Sequence, residues 1–153
     1  MPRVKHHFEN SQYVHITTRT QDARFLLASN EAKAIVLSTL CTYEHKGFYR
    51  LLAYVIMDNH FHFVGVVRNS EGLHAAIGRL KGWASDQIQG IVGTQGPIWE
   101  RRFDDNVILT KEELYNVVLY IHENPVRAGI VARATDYSWS SARKWAEEGP
   151  PPL

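Results

Sequence analysis

The sequence predicts an α+β fold, a split βαβ arrangement in which one antiparallel sheet carries helices mainly on one face. Segments that alternate with the two-residue period of strands are interleaved with segments that have the 3.6-residue period of helices. Two of the apolar runs are separated by only two residues, as in a hairpin of neighbouring antiparallel strands. The resulting order is strand, helix, strand, strand, helix, strand, helix, which is typical of a split βαβ sheet.

The first strand and the first helix are predicted from their different periods. Residues 13–20 alternate and are rich in β-branched side chains, which is typical of a strand. Residues 30–43 place apolar side chains about one helical turn apart, and Gly47 then interrupts the pattern. We therefore expect a strand followed by a helix.

The next two apolar runs predict a hairpin. They cover residues 48–57 and 60–67, and Asp58 and Asn59 connect them. Aspartate and asparagine tolerate the positive backbone angles of a tight two-residue turn. Such a hairpin places His60 at the very start of its second strand, at the rim of the sheet, where a ligand can reach it.

A second helix and a last strand follow the hairpin. Ser70 can cap this helix. Its apolar stripe consists of Leu73, Ala76, Ile77, Leu80, Ala84 and Ile88. A glycine-rich loop over residues 90–97 ends the helix, and residues 106–109 form a short apolar run that we interpret as the last strand.

The last helix is predicted from its two ends. Thr110 and Glu113 have the spacing of a capping box. The stripe that follows consists of Leu114, Val117, Val118 and Ile121. Pro125 is expected to close the helix, because the residue before a proline is disfavoured in helical backbone. The complete set of elements corresponds to a ferredoxin-like or RRM-like sheet.

Length and composition indicate one cytoplasmic domain. A chain of 153 residues fits a single domain, 1–153, with its core over about 13–142 and a frayed tail over about 149–153. The net charge of +1 gives no overall sign of nucleic-acid binding, so any basic surface must be local. No run approaches the roughly 18 apolar residues that a membrane span needs. The basic residues 1–7 are not followed by an apolar signal segment.

The cysteine content also favours a cytoplasmic location. The single cysteine, Cys41, excludes an intramolecular disulfide and fits a reducing cytoplasm. Its position late in the first helix favours a buried, small apolar role.

His60 and His62 are the first candidates for a functional site. Two residues spaced i, i+2 on a strand project from the same face, whereas Phe61 and Phe63 take the opposite face. Neutral imidazoles bind divalent metals, and two such ligands leave the open positions that a catalytic site needs. Eight histidines in the chain make one such spacing an ordinary chance event, so two structural, half-buried histidines are the alternative.

Tyr120 and Asn124 lie one turn apart on a flank of the last helix. A phenol, with an unperturbed pKa of about 10, needs a neighbouring cation or base to act as a nucleophile. Asn124 could supply an amide oxygen as a third metal ligand beside that phenol. The alternative is a boundary tyrosine whose hydroxyl lies in water.

Several basic and aromatic residues are candidates for nucleic-acid contacts. Arg101 and Arg102 follow Trp99 in a loop, where they could bind phosphates and stack a base, although a solvated charged loop has the same pattern. Arg79 and Lys81 on the second helix could touch a DNA backbone or be ordinary surface charges.

The remaining notable residues favour structural roles. We expect structural or peripheral positions for His15 and His122. Trp139 is interpreted as a core anchor, and Ser140 and Ser141 as a helix cap.

Blocks along the chain resemble those of single-tyrosine HUH transposases, the insertion-sequence enzymes and their REP-associated relatives. The blocks are residues 15–19 for the opening strand, 54–63 for the turn and the His-hydrophobic-His strand, 99–103 with 120–129, and 138–141. They occur in the family's order and span residues 13–142. This chain has Asp58 where many members have proline, and Asn124 where some insertion-sequence enzymes have glutamine.

The resemblance implies a metal-dependent nicking and strand-transfer reaction on single-stranded or hairpin DNA. His60 and His62, with Asn124 as the provisional third ligand, would bind Mg²⁺ or Mn²⁺. Tyr120 would attack the phosphorus and form a 5′-phosphotyrosine, with no nucleotide cofactor. Insertion-sequence members are dimers, so a homodimer is one expectation, whereas some REP-associated members act as monomers.

Three other functions are compatible with parts of the pattern. The first is a catalytically silent DNA-binding protein on the same fold. The second is an RNA-binding sheet of the RRM kind, with Phe61 and Phe63 as its exposed aromatics. The third is a zinc hydrolase that adds Asp104 or Asp105 to the histidines.

Overall fold

The computed structural model of the protein describes residues 7–153, so most of the basic N-terminal stretch noted in the sequence lies outside the described residues. The strands are β1 (Tyr13–Arg19), β2 (Tyr49–Ile56), β3 (His60–Val67) and β4 (Asp104–Ile108). The helices are α1 (Asn30–His45), α2 (Ser70–Val92), α3 (Lys111–His122), α4 (Asn124–Arg127) and α5 (Ala142–Glu148). Two short 3₁₀ turns cover Gln21–Ala23 and Ala134–Asp136.

The four strands form one antiparallel sheet in the order β2-β3-β1-β4. β3 and β1 are the central strands. α1 connects β1 to β2, and α2 connects β3 to β4, as in a split βαβ fold. The predicted α+β class and split βαβ arrangement are therefore confirmed. The order of elements along the chain agrees with the prediction up to α3, and two short helices, α4 and α5, follow it.

The sheet is covered on both faces. One core cluster joins Val14, Ile16, Phe61 and Phe63 to the apolar stripes of the two long helices, α1 and α2. The other cluster joins the opposite sheet face to Leu114, Val118 and Ile121 of α3. Phe61 and Phe63 are each only 1% exposed, so they form no open aromatic sheet face and give no support to an RRM-like RNA-binding surface.

Two local expectations are corrected, and the predicted end of the last helix before Pro125 is confirmed. Cys41 is exposed, because it lies on the flank of α1 beside an open cavity that β2 and α5 also line, and the expectation of a buried residue is wrong. Asp58 and Asn59 form the predicted connection, but neither has a positive φ, so the turn does not use left-handed backbone. α3 ends before Pro125, which then lies in the first turn of α4, where a proline needs no amide partner.

The C-terminal end of the chain lies beside the edge strand. Pro150, Pro151 and Pro152 line a cavity of about 520 Å³ between α1, β2 and α5, and Cys41 also lines it. Every helix within residues 7–153 is too short or too polar to cross a lipid bilayer.

Candidate functional site

The turn before β3 fixes the start of the histidine strand. Met57 donates its amide to the carbonyl of His60 at 2.8 Å, which closes the hairpin. The amide of Leu27 donates to the Asp58 carbonyl at 2.8 Å, and the amide of Thr20 donates to the Asn59 carbonyl at 2.9 Å. Since both turn carbonyls are bound by other segments, the position of His60 is determined by three separate parts of the chain.

The tautomer of His60 follows from its neighbours. Asn59 donates its side-chain amide to the carbonyl of Ala23 at 3.3 Å, which turns its Oδ1 towards His60 Nδ1 at 2.7 Å. An amide oxygen only accepts, so Nδ1 carries the proton and Nε2 keeps its lone pair. Such a partner behind a ring is what orients a metal-binding imidazole.

His62 is held by two residues of the neighbouring strand. Its Nδ1 lies 2.9 Å from Thr17 Oγ1 and 2.9 Å from His15 Nε2, and the side chain is 7% exposed. The His60 and His62 ring centroids are 5.0 Å apart. Because the contacts from β1 use Nδ1, the nitrogen of His62 that remains for a ligand is Nε2.

Burial keeps the histidines of this face neutral. Burial, and then the positive charges that His15, His60, Arg19 and Arg127 can carry, together lower the pKa of His62 to about 3. Burial and then Arg19 lower the pKa of His60. Burial also lowers the pKa of His15, partly opposed by Asp104. A neutral imidazole is the form that binds a metal ion, so protonation does not compete with ligation at neutral pH.

Tyr120 of α3 and Asn124 of α4 lie next to the two histidines. The Tyr120 ring centroid is 6.5 Å from that of His62, with the planes at 80°, and its side chain is 55% exposed. Asn124, the first residue of α4, places its Nδ2 3.2 Å from His60 Nε2. To bind a metal with its oxygen, the Asn124 amide must rotate so that Oδ1 faces the site.

A cation completes the tyrosine side of the site. The Arg127 guanidinium carbon lies 4.1 Å from the centre of the Tyr120 ring. Its Nη2 also donates to the Tyr120 carbonyl oxygen at 2.7 Å. One arginine is thus in contact with both the ring and the backbone of the candidate nucleophile.

The donor set fits a divalent ion with open positions. Two neutral imidazole nitrogens and an amide oxygen are suitable ligands, and they leave room for phosphate oxygens or water. Within residues 7–153, no group of three His, Cys, Asp or Glu side chains is arranged to hold a metal. Asp104, one candidate acid for a zinc hydrolase, instead pairs with Arg19.

Comparison with solved structures identifies the fold. The chain superposes on a REP-associated tyrosine transposase bound to a REP hairpin, with a TM-score of 0.80 and 18% identity over 99% of this chain and 89% of the other. The chain has the transposase fold. A transposase candidate from Deinococcus radiodurans also matches, with a TM-score of 0.54 and 14% identity over 80% of this chain and 97% of the other. No family model matches the sequence, and no curated protein matches it either.

Two of the residues predicted to touch DNA lie inside the transposase fold. Trp99 is 7% exposed and donates its Nε1 to the Lys81 carbonyl at 2.9 Å. Lys81 is 8% exposed, and its Nζ donates to the carbonyls of Glu100 and Arg102 at 2.8 and 3.4 Å. Both side chains therefore hold the loop that carries Arg101 and Arg102, whose own side chains are exposed.

The arginine loop and Arg79 have different positions relative to the histidines. The amide of Glu100 donates to the Arg19 carbonyl at 2.9 Å, and Arg19 pairs across the strands with His60. The loop thus runs along the same rim as His60. The Arg79 guanidinium instead lies over the Phe48 ring, at the end of β2 that pairs with Val67, so Arg79 lies towards the opposite end of β3.

Sequence reasoning missed the contribution of β1 to the site. His15 was expected to be structural or peripheral, yet it lies directly behind His62 together with Thr17. Arg19 continues the same alternating face. The two-residue period of β1 was the available signal, because it places these three side chains on the face opposite Val14 and Ile16.

The other expected structural residues connect helices to β2. His122 is 7% exposed, and its Nε2 lies 2.8 Å from Ser141 Oγ, which also accepts from the Tyr54 amide at 2.9 Å. Burial lowers the pKa of His122 to about 4. Ser141 occupies the N-cap position of α5 but makes no side-chain cap bond, because its hydroxyl is used for these contacts. Trp139 packs against both core clusters, as expected of an anchor.

Proposed function

We propose that this protein is a metal-dependent enzyme of the tyrosine transposase type that nicks and rejoins single-stranded DNA. The observation that carries the proposal is the convergence of His60 and His62 on β3 with Tyr120 and Asn124 at the junction of α3 and α4. Nothing in core packing requires two imidazoles, a phenol and an amide to meet at a rim. The fold shared with the REP-associated enzyme supports the same conclusion.

Each residue of the site has a role in the proposed reaction. Tyr120 Oη attacks the phosphorus of one phosphodiester, and the bond from phosphorus to the 3′ oxygen breaks. The phenol loses its proton, the departing 3′ oxygen gains one, and the phosphate remains on tyrosine as a 5′-phosphotyrosine. Attack by another 3′-hydroxyl on this phosphate reverses the step and joins new ends. No nucleotide cofactor is required, because the energy of the broken bond is conserved in the new one.

The donor set supports a requirement for a divalent metal. A divalent ion, Mg²⁺ or Mn²⁺, would supply a Lewis acid that polarises the phosphate. His60 and His62 would hold it, and Asn124 would be the provisional third ligand. The hydrogen bonds to Asn59, Thr17 and His15 orient the two rings before any ligand arrives.

The proposed DNA is single-stranded or forms a hairpin. The REP-associated neighbour is bound to a REP hairpin. In this chain, the exposed Arg101 and Arg102 on the rim loop would contact backbone phosphates, while Trp99 and Lys81 hold that loop from inside. Residues 1–153 would act as one transposase domain in the cytoplasm, as a monomer or a homodimer.

A covalent-adduct assay tests the proposal. The protein is incubated with labelled single-stranded hairpin DNA and Mn²⁺ and then run on a denaturing gel. Wild-type protein should give an adduct that disappears in Tyr120→Phe and is largely lost in His60→Ala and His62→Ala. Tyr115→Phe is the matched control, since Tyr115 is 42% exposed on the same helix but packs against Trp145, 6.2 Å away.

Two outcomes contradict the proposal in different ways. Binding of the DNA without any adduct would favour the catalytically silent alternative. An adduct that survives Tyr120→Phe would move the nucleophile to another tyrosine. Tyr115 is then the stronger candidate, because the Tyr137 hydroxyl is buried, donates to the Ile56 carbonyl at 2.5 Å and has its pKa raised to about 12 by burial and Asp58.

A further inference from the structure

Arg127 has an unusual set of contacts for an exposed arginine. The hydrogen bond and the cation–π contact of its side chain within residues 7–153 are both to a single residue, Tyr120. The guanidinium lies 4.1 Å from the ring centre, and Nη2 donates 2.7 Å to the carbonyl oxygen of the same residue. The ion pairs among the described residues involve Arg19, Lys33 and Arg133, not Arg127.

The backbone explains why the arginine reaches that tyrosine. α3 ends at His122, and α4 begins at Asn124 with Pro125 in its first turn. The short helix brings residue 127 back over the last turn of α3, seven positions after the tyrosine. Asn124 and Arg127 thus lie in one helical turn, and they contact His60 and Tyr120, respectively.

A nucleophile that is half exposed needs something to define its ring position. Tyr120 is 55% exposed, so core packing does not fix its χ angles. A planar guanidinium stacked on an aromatic face is attracted by the ring quadrupole, and its fork can bond the backbone simultaneously. A small displacement of a reacting group can cost a hundredfold in rate, so fixing this ring matters for in-line attack.

We propose that Arg127 is a positioning residue that holds the Tyr120 ring in place for attack on the phosphate. This inference rests on the proposed function, because it assumes that Tyr120 is the nucleophile. Its effect is on the chemical step rather than on DNA affinity. Lysine replaces arginine only in part at this position, because lysine keeps the charge but cannot stack as a plane and reach the carbonyl simultaneously.

Single-turnover kinetics of adduct formation test the inference. With Mn²⁺ and hairpin DNA, Arg127→Gln should lower the rate at saturating DNA at least tenfold and change the half-saturating concentration less than about threefold. Arg127→Lys should fall between Arg127→Gln and wild type. Arg68→Gln is the charge-matched control, since Arg68 directly follows β3 at the end opposite His60. Unfolding midpoints of all variants should agree, because Arg127 is exposed.

A second readout needs no reaction. Fluorine NMR of protein containing 3-fluorotyrosine, with the Tyr120 resonance assigned from Tyr120→Phe, should show that resonance shifted in Arg127→Gln and unshifted in Arg68→Gln. An unchanged saturating rate in Arg127→Gln, or a defect confined to the half-saturating concentration, overturns the inference. An unshifted resonance does so as well. A wild-type protein without any adduct instead overturns the proposed function, even where the resonance shift confirms the contact.

Discussion

Replacing Lys33 with methionine is expected to destabilise the protein and to loosen the turn that places His60. Lys33 lies on α1, and its side chain is only 5% exposed. Its Nζ donates to the carbonyls of Leu27 and Ala28 at 2.7 and 3.1 Å and to Asp58 Oδ1 at 2.6 Å. One ammonium group thus connects the loop before α1 to the turn before β3.

The size of the effect follows from which acceptors lose their partner. The bond to Leu27 is buried, so its carbonyl would remain unsatisfied, which costs about 1–3 kcal/mol. The Asp58 side chain is 41% exposed and water can hydrate it, so the loss of its ion pair with Lys33 adds little to the free-energy cost. Methionine fills most of the space of the lysine stem. We therefore expect a loss of about 2 kcal/mol in the free energy of unfolding, or about 4–8 °C in Tm for a chain of this size.

The assay is equilibrium unfolding in urea. Lys33→Met should lower the urea midpoint without changing the slope, and Lys111→Met, at an exposed position, is the control. The double variant Lys33→Met with Asp58→Asn should be less destabilised than the sum of the single variants, because the partners interact. The reasoning is refuted if Lys33→Met is within about 0.5 kcal/mol of wild type, the range typical of surface substitutions.

Three further variants test other parts of the structure. Thr18 Oγ1 is buried without a hydrogen-bond partner among the described residues, so Thr18→Val should raise stability by about 1 kcal/mol in urea unfolding, and a loss would contradict this. Thr110 Oγ1 accepts from the Glu113 amide at 3.1 Å, so Thr110→Ala should cost about 1 kcal/mol by the same measurement, whereas an unchanged midpoint would show that the cap is dispensable. The pKa of His122 is about 4 in the folded protein, below the ordinary value of 6.5, so its contribution is complete above pH 6.5 and is lost as the pH falls towards 4. From pH 7.5 to pH 5, His122→Gln should therefore lose about 2 kcal/mol less stability than wild type, and equal losses would refute the assignment.

Most of the fold could be predicted from the sequence because its signals are local. The periods of residues 13–20 and 60–67 define strands, and the Thr110 cap defines the start of a helix. The backbone angles of Asp58 and Asn59 could not be predicted, because contacts from Leu27, Thr20 and Lys33 determine them. These partners are distant in sequence.

Only part of the candidate site could be predicted from the sequence, for a similar reason. His60, His62, Tyr120 and Asn124 stand in motifs, and the structure brings them together. Lys81 and Trp99 were expected to contact DNA, but they bond to backbone carbonyls instead. The sequence alone does not show whether a lysine or a tryptophan faces solvent or a carbonyl of a loop. Whether such a side chain is buried decides which role it has, and burial depends on how the complete chain folds.

The two halves of the site differ in how they are attached to the molecule. The histidines lie on β3, which is hydrogen-bonded along both edges by β2 and β1. Tyr120 and Arg127 instead lie at the exposed end of α3 and on a four-residue helix. Amide hydrogens of β3 should therefore exchange only through global unfolding, whereas those near Tyr120 should exchange through local opening. In the proposed reaction, a DNA strand that enters the site would thus displace Tyr120 and Asn124 while His60 and His62 keep their positions, and adaptation to another DNA shape would fall on α3 and α4.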